Sequence, residues 1–274
     1  LPFDNGASVM AVRSDMIENA GLTVDDFKDL TWSEFEEKAQ KVVDANGVPM
    51  LTSSGGSELI IEMMQSAGAS PVVDGEVKIA DNAALKESLT VYKDMVDKGI
   101  LAEYTDWDQY IASMNDGKAA GVINGCWIMS SVQAAADQSG KWGVMSLPVF
   151  PGDEPSGSTN GGSDIVIPAA SANVDIAKEF VQFAMTDVDL QADGFVNYGL
   201  FPSYIPAYDA EVFTEPDEFF GGQKIYETFI ELGKKVPAVN YTENYNEAMK
   251  AAGSACAKVY LEGQDPKTVL EDLE

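Results

Sequence analysis

Short apolar runs alternate with stretches of helical spacing along most of the chain. Residues 8–12 form an apolar extended run behind the turn signal Asn5-Gly6, and residues 15–20 a short helix stopped by Gly21. At Thr31 a capping box opens a longer helix, with Thr31 as cap and Glu34 reaching back to it. Trp32, Phe35, Ala39, Val42 and Val43 share one face of that helix, which Gly47 ends. The spacing makes Trp32 a core residue. Residues 48–52 read as a strand, followed by the small polar loop Ser53-Ser54-Gly55-Gly56 and a helix from Glu58 to Ala67. Such a loop presents free backbone N–H groups at a helix start. It lacks the lysine of a phosphate loop, which argues against a nucleotide.

A hairpin on Asp74-Gly75 comes next, then a helix marked by Leu85, Leu89, Tyr92, Met95 and Val96. In residues 104–110 aromatics and carboxylates crowd together ahead of a short helix that ends at Gly117. Trp107 there serves either as a hydrophobic staple for the helix or as an aromatic platform. Residues 119–123 form an apolar strand expected to break at Asn124-Gly125 and restart as a helix, so that Trp127 stands at the strand's carboxyl end. In open α/β sheets ligands bind along that edge. A flat indole suits the apolar face of a sugar ring, and a core aromatic fits the position as well. Gly161-Gly162 lets backbone come close to a ligand.

Further on, residues 164–168 read as a strand. A helix from Asn173 carries Ile176, Ala177, Phe180, Val181 and Ala184 on one face. Helices are also expected near 187–197, 223–232, 243–261 and 266–273, the last capped by Asp265 with Pro266 at its first position. Strand–helix alternation gives an α/β class, and the helical tail from 173 adds something to a simple doubly wound sheet.

Composition narrows the chemistry. The 274 residues carry a formal charge of −28, which repels nucleic acid and anionic membrane surfaces. Histidine is absent, so Ser-His-Asp and Cys-His nucleophiles and the usual zinc sites are excluded. Cys126 and Cys256 make neither a disulfide framework nor a metal cluster; they read as two small buried apolar residues, or as a single pair if the fold brings them together. No cofactor and no metal is expected. No run is apolar enough for a transmembrane helix, and no signal peptide is visible. The opening Leu1-Pro2-Phe3-Asp4 has the look of a piece cut from a longer precursor.

Several stretches, in order, carry a resemblance: 10–21, 31–35 (Thr-Trp-Ser-Glu-Phe), 112–127 with Asn115-Asp116-Gly117-Lys118 and Ile123-Asn124-Gly125-Cys126-Trp127, 143–148, 160–163 and 176–180. Together they resemble the extracellular solute-binding proteins of ABC transporters, the maltose-binding-protein-like carbohydrate-binding family 1. The resemblance implies an α/β, periplasmic-binding-protein-like (type II) two-lobe fold with the first strands of the amino-terminal lobe missing. It assigns residues 1–50 to the remainder of that lobe and the crossover, 51–200 to the carboxyl-terminal lobe, and 201–274 to a helical segment returning to the hinge and amino-terminal lobe. The missing part is either supplied by another chain, as in a dimer or a swapped pair, or removed with rearrangement of the lobe.

The implied function is binding of a sugar or oligosaccharide outside the cell and delivery to the membrane permease of an ABC transporter, with a lipidated amino terminus as anchor and no enzymatic activity. The implied site residues are Trp127, which matches the family's stacking tryptophan, and Gly161 and Gly162, which match its cleft glycines. Asp4 and Asn5 sit on the crossover segment, Ser54 and Gly55 at a strand-to-helix edge, and Asp106 and Trp107 ahead of a helix. Tyr245 lies in an aromatic segment that closes the cleft. Two other readings remain. A binding protein for a peptide or polyamine would use the aromatics and acids on a cation. A secreted glycoside hydrolase would need a facing carboxylate pair, drawn for instance from Asp106, Asp108 and Asp164.

Overall fold

The computed structural model describes residues 1–153, 157–238 and 241–272. The strands are β1 (Ser8–Arg13), β2 (Leu51–Ser53), β3 (Val72–Val73), β4 (Glu76–Val77), β5 (Leu101–Glu103), β6 (Gly121–Gly125) and β7 (Trp142–Met145). The helices are α1 (Ser14–Asn19), α2 (Trp32–Asn46), α3 (Gly56–Ser66), α4 (Ala83–Asp97), α5 (Trp107–Asn115), α6 (Met129–Gln133), α7 (Val174–Thr186), α8 (Val188–Tyr198), α9 (Ile225–Gly233), α10 (Tyr245–Glu262) and α11 (Pro266–Glu271).

Five strands make one mixed sheet in the order β5-β2-β6-β1-β7. β2 runs parallel to β5 and β6, and β1 runs antiparallel to β6 and β7. Period-two alternation divides β1 between two cores. Met10 and Val12 join Trp32, Phe35, Leu59, Tyr92, Ala252 and Val259 on one face. Val9 and Ala11 join Tyr110, Met114, Phe201, Phe213 and Phe229 on the other. The sheet therefore lies between two helical layers. β1 and β2 share that sheet, and α10 packs on α3 and α4.

Local signals act where they occur. Thr31 Oγ1 accepts from Glu34 N while Thr31 N donates to Glu34 Oε2, and Gly47 ends α2 at φ 70°. The Asp74-Gly75 turn closes β3 on β4 with both residues at positive φ. β6 does not break at Asn124. Its pairing with β1 continues through Val9↔Asn124 and Ser8↔Gly125, because the neighbouring strand supplies partners up to that point.

The strand expected at residues 164–168 does not form. Asp164 makes only an isolated bridge, to Pro2, and Val166 is 78% exposed, so residues 164–168 form no strand. No described strand lies alongside to complete the ladder. On α7, Val181 and Met185 are buried but Ile176 and Phe180 are each 67% exposed and Phe183 59%. The helix covers one edge and leaves an apolar stripe to solvent. Changing Phe180 and Phe183 to serine is therefore expected to alter the unfolding free energy of the monomeric chain by less than about 0.5 kcal/mol per site in urea denaturation at low protein concentration.

Candidate functional site

Because β2, β5 and β6 are parallel, their carboxyl ends share one edge of the sheet. The segments that follow them are Ser54-Gly55, the run leading to Trp107, and the single 3-10 turn that holds Trp127. Asp106 Oδ1 accepts from Gln109 N at 3.0 Å and so caps α5, placing Trp107 on its first turn. The Trp107 and Trp127 rings stack at 6.0 Å with 27° between planes, and Trp107 also meets Tyr110 at 5.5 Å. Trp107 is 49% exposed and Trp127 half-buried.

Asn160 holds this pair to the polar groups beside it. Its carbonyl accepts from Trp127 Nε1 at 2.9 Å. Its side-chain amide donates to Asn124 Oδ1 at 2.9 Å and to Glu58 Oε2 at 3.2 Å. Asn124 Nδ2 reaches the Tyr110 hydroxyl at 3.0 Å, and Ser54 Oγ donates to Glu58 Oε2 at 3.0 Å. Gly55 N donates to Ser53 Oγ at 3.1 Å, which turns the loop into α3. One turn below Glu58 on the same helix, the buried Glu62 accepts from Ser8 Oγ at 2.7 Å. Burial, reinforced by the nearby Glu58, pushes the Glu62 carboxyl up to about 8 against the opposing Ser8 bond, so it holds its proton at neutral pH. Burial likewise raises the Tyr110 hydroxyl.

The crossover segment supports this group from behind. Asn160 N donates to Gly6 O, Phe3 N to Ser163 O, and Ser163 N to Asp4 Oδ1. Asn5 Oδ1 accepts from Ala7 N, and Asn5 O accepts a weak bond from Cys126 Sγ at 3.3 Å. Gly161 and Gly162 both sit at φ near 86°, a left-handed conformation that glycine adopts without strain, and Gly161 lies against the edge of Trp127. Gly125 matters for space alone. A Cβ there would run into Asn160 O and Trp127 Nε1. Gly125→Ala is expected to break that hydrogen bond and lower stability by about 1–3 kcal/mol, read by denaturant titration, with a changed tryptophan emission.

Of the residues singled out from sequence, Trp107, Trp127, Asp106, Ser54, Gly55, Gly161, Gly162, Asp4 and Asn5 therefore lie in one connected neighbourhood. Tyr245 does not join it. It opens α10 edge-on to Tyr241 at 4.8 Å, next to Asn244, whose amide reaches Gly75 O in the β3–β4 hairpin. Asp106 acts as a helix cap rather than as an unengaged carboxylate. Cys126 and Cys256 are free and fall in the cores on opposite faces of the sheet, and burial raises both thiols. Sequence reasoning missed Glu58, Glu62, Asn124, Tyr110 and Asn160. One signal was available: Glu62 is a lone carboxylate among the buried Leu59, Ile60, Met63 and Met64 of α3.

Comparison with known proteins places this geometry. The profile of the family described as bacterial extracellular solute-binding protein matches residues 1–189. A lactose-binding protein of Rhizobium radiobacter is 30% identical over 278 residues, covering 100% of this chain and 66% of that protein. An arabinooligosaccharide-binding protein of Bacillus subtilis (strain 168) is 26% identical, covering 97% of this chain and 64% of that protein. The chain thus spans just under two thirds of the length of these curated relatives. Among solved structures, the ABC transporter associated binding protein from B. animalis subsp. lactis Bl-04, in complex with beta-1,6-galactobiose, superposes with a TM-score of 0.82. That match is 21% identical and covers 100% of this chain and 70% of the other. The fold is that of the type II periplasmic-binding-protein-like proteins. The chain belongs to the bacterial extracellular solute-binding protein family.

Proposed function

We propose that this chain forms a carbohydrate-binding wall of an ABC-importer binding protein, which takes up a sugar or short oligosaccharide outside the cell and delivers it to a membrane permease. One observation carries the reading: the stacked Trp107–Trp127 pair fixed to Asn160, beside the Asn124, Glu58 and Ser54 polar groups. Aromatic faces bind the C–H faces of pyranose rings, and planar polar side chains bind the hydroxyls. Two lobes that both touch the ligand only when closed convert that binding into a signal for the permease. The names of the lactose- and arabinooligosaccharide-binding relatives support a sugar over a peptide or polyamine. They also support binding over hydrolysis.

A lipidated amino terminus anchoring the protein at the cell surface belongs to the same reading. So does a second chain, in a dimer or swapped pair, covering the exposed stripe of Ile176, Phe180 and Phe183; light scattering on the purified chain tests it. The functional test is a thermal-shift panel of lactose, β-1,6-galactobiose and arabino-oligosaccharides, with a tripeptide and spermidine as the competing classes. A sugar that binds the folded state raises the melting temperature by mass action. A shift with spermidine or the peptide alone would replace the sugar reading.

A further inference from the structure

We propose that Glu58 sets the ligand class of this wall, selecting neutral sugars that present two adjacent hydroxyls and rejecting sugars that carry a carboxylate or phosphate. The inference rests on the sugar-binding reading and narrows it. Glu58 is exposed on the first turn of α3. Its Oε2 is gripped from two sides, by Ser54 Oγ at 3.0 Å and Asn160 Nδ2 at 3.2 Å. Those two bonds orient the carboxylate without exhausting its acceptor capacity of about four lone-pair sites. Oε1 accepts no hydrogen bond from any described residue. A carboxylate held this way accepts both protons of a vicinal diol, and such charge-assisted bonds are stronger than neutral ones.

Position and charge make it selective. Asn160, which holds Glu58 through its amide, holds Trp127 through its carbonyl, so acceptor and platform are separated by one residue. Asn160 thus fixes the acceptor and the aromatic platform relative to one another. No described lysine or arginine bonds or pairs with Glu58; their ion pairs lie elsewhere, for example Arg13–Asp15 and Lys98–Glu36. The negative charge is left for the ligand to meet. A uronate or sugar phosphate would bring a second negative charge against it, whereas a neutral diol supplies the donors it lacks.

The test is calorimetry of wild type, Glu58→Gln and Glu58→Asp with lactose, β-1,6-galactobiose and digalacturonic acid, with a thermal melt of each variant as a folding control. Glu58→Gln is expected to weaken binding of the neutral sugar about 10-fold or more and to narrow the preference for neutral sugar over digalacturonic acid by a similar factor. Glu58→Asp keeps the charge and is expected to keep the preference even where affinity falls. Neutral-sugar affinity within twofold of wild type in Glu58→Gln, or an unchanged preference, overturns the assignment. A wild type that binds neither neutral sugar overturns the sugar reading itself, and this inference with it.

Discussion

Glu62→Gln is expected to stabilise the protein by roughly 4–5 kcal/mol at pH 9 relative to wild type, with almost no difference at pH 4. The carboxyl is buried within α3, and desolvation is the main cause of its rise from 4.5 to about 8; Glu58 adds to the rise and the Ser8 bond opposes it. A carboxyl raised on folding is protonated in the native state and ionised in the unfolded chain between those two values. The unfolded state then binds fewer protons, so stability falls as pH rises through the window from about 4.5 to 8 and is flat beyond it. Below the window both states carry the proton, and glutamine mimics the neutral carboxyl. Urea titrations of both proteins at pH 4, 7 and 9 measure the difference directly. A difference that does not grow with pH would mean that Glu62 is ionised in the native state.

Trp127→Ala is expected to weaken sugar binding by about 1–3 kcal/mol, or roughly 5- to 150-fold. Three losses add together. The ligand loses a flat apolar face. Trp107 loses the ring it stacks on at 6.0 Å, and Asn160 O loses its indole donor, which frees the residue that orients Glu58. Trp127→Phe keeps a ring but no donor, so it separates stacking from support of Asn160. Calorimetry with β-1,6-galactobiose reads all three proteins. Unchanged affinity in Trp127→Ala would remove the stacking role.

What the sequence revealed was what short-range chemistry decides. The capping box at Thr31 and Glu34, the Asp74-Gly75 turn and the Asp265-Pro266 helix start all form as expected because each is settled within a few residues. β5 was not foreseen, since three residues have no periodicity and become a strand only by lying against β2. The buried face of α7 was not legible for a related reason. Its apolar positions sit at helical spacing on two stripes, and spacing alone does not say which stripe a neighbour covers. The site divides in the same way. Trp127 was legible from an apolar strand ending in a tight turn, and Gly161-Gly162 from glycine itself. The Glu58–Asn160 hydrogen bond joins residues 102 apart in sequence, and the Trp127–Asn160 bond residues 33 apart, so neither leaves a local trace. Tyr245 was placed in the cleft by loose resemblance, and the start of α10 carries it to the β3–β4 hairpin side instead.

The most direct measurement is titration calorimetry of the purified chain with lactose, β-1,6-galactobiose and an arabino-oligosaccharide, with spermidine and a tripeptide as controls. Saturable heat from at least one sugar, reduced in Trp127→Ala and absent with the controls, is the predicted result. Saturable heat from spermidine or the tripeptide with none from any sugar would contradict the account and assign the tryptophan pair to another solute.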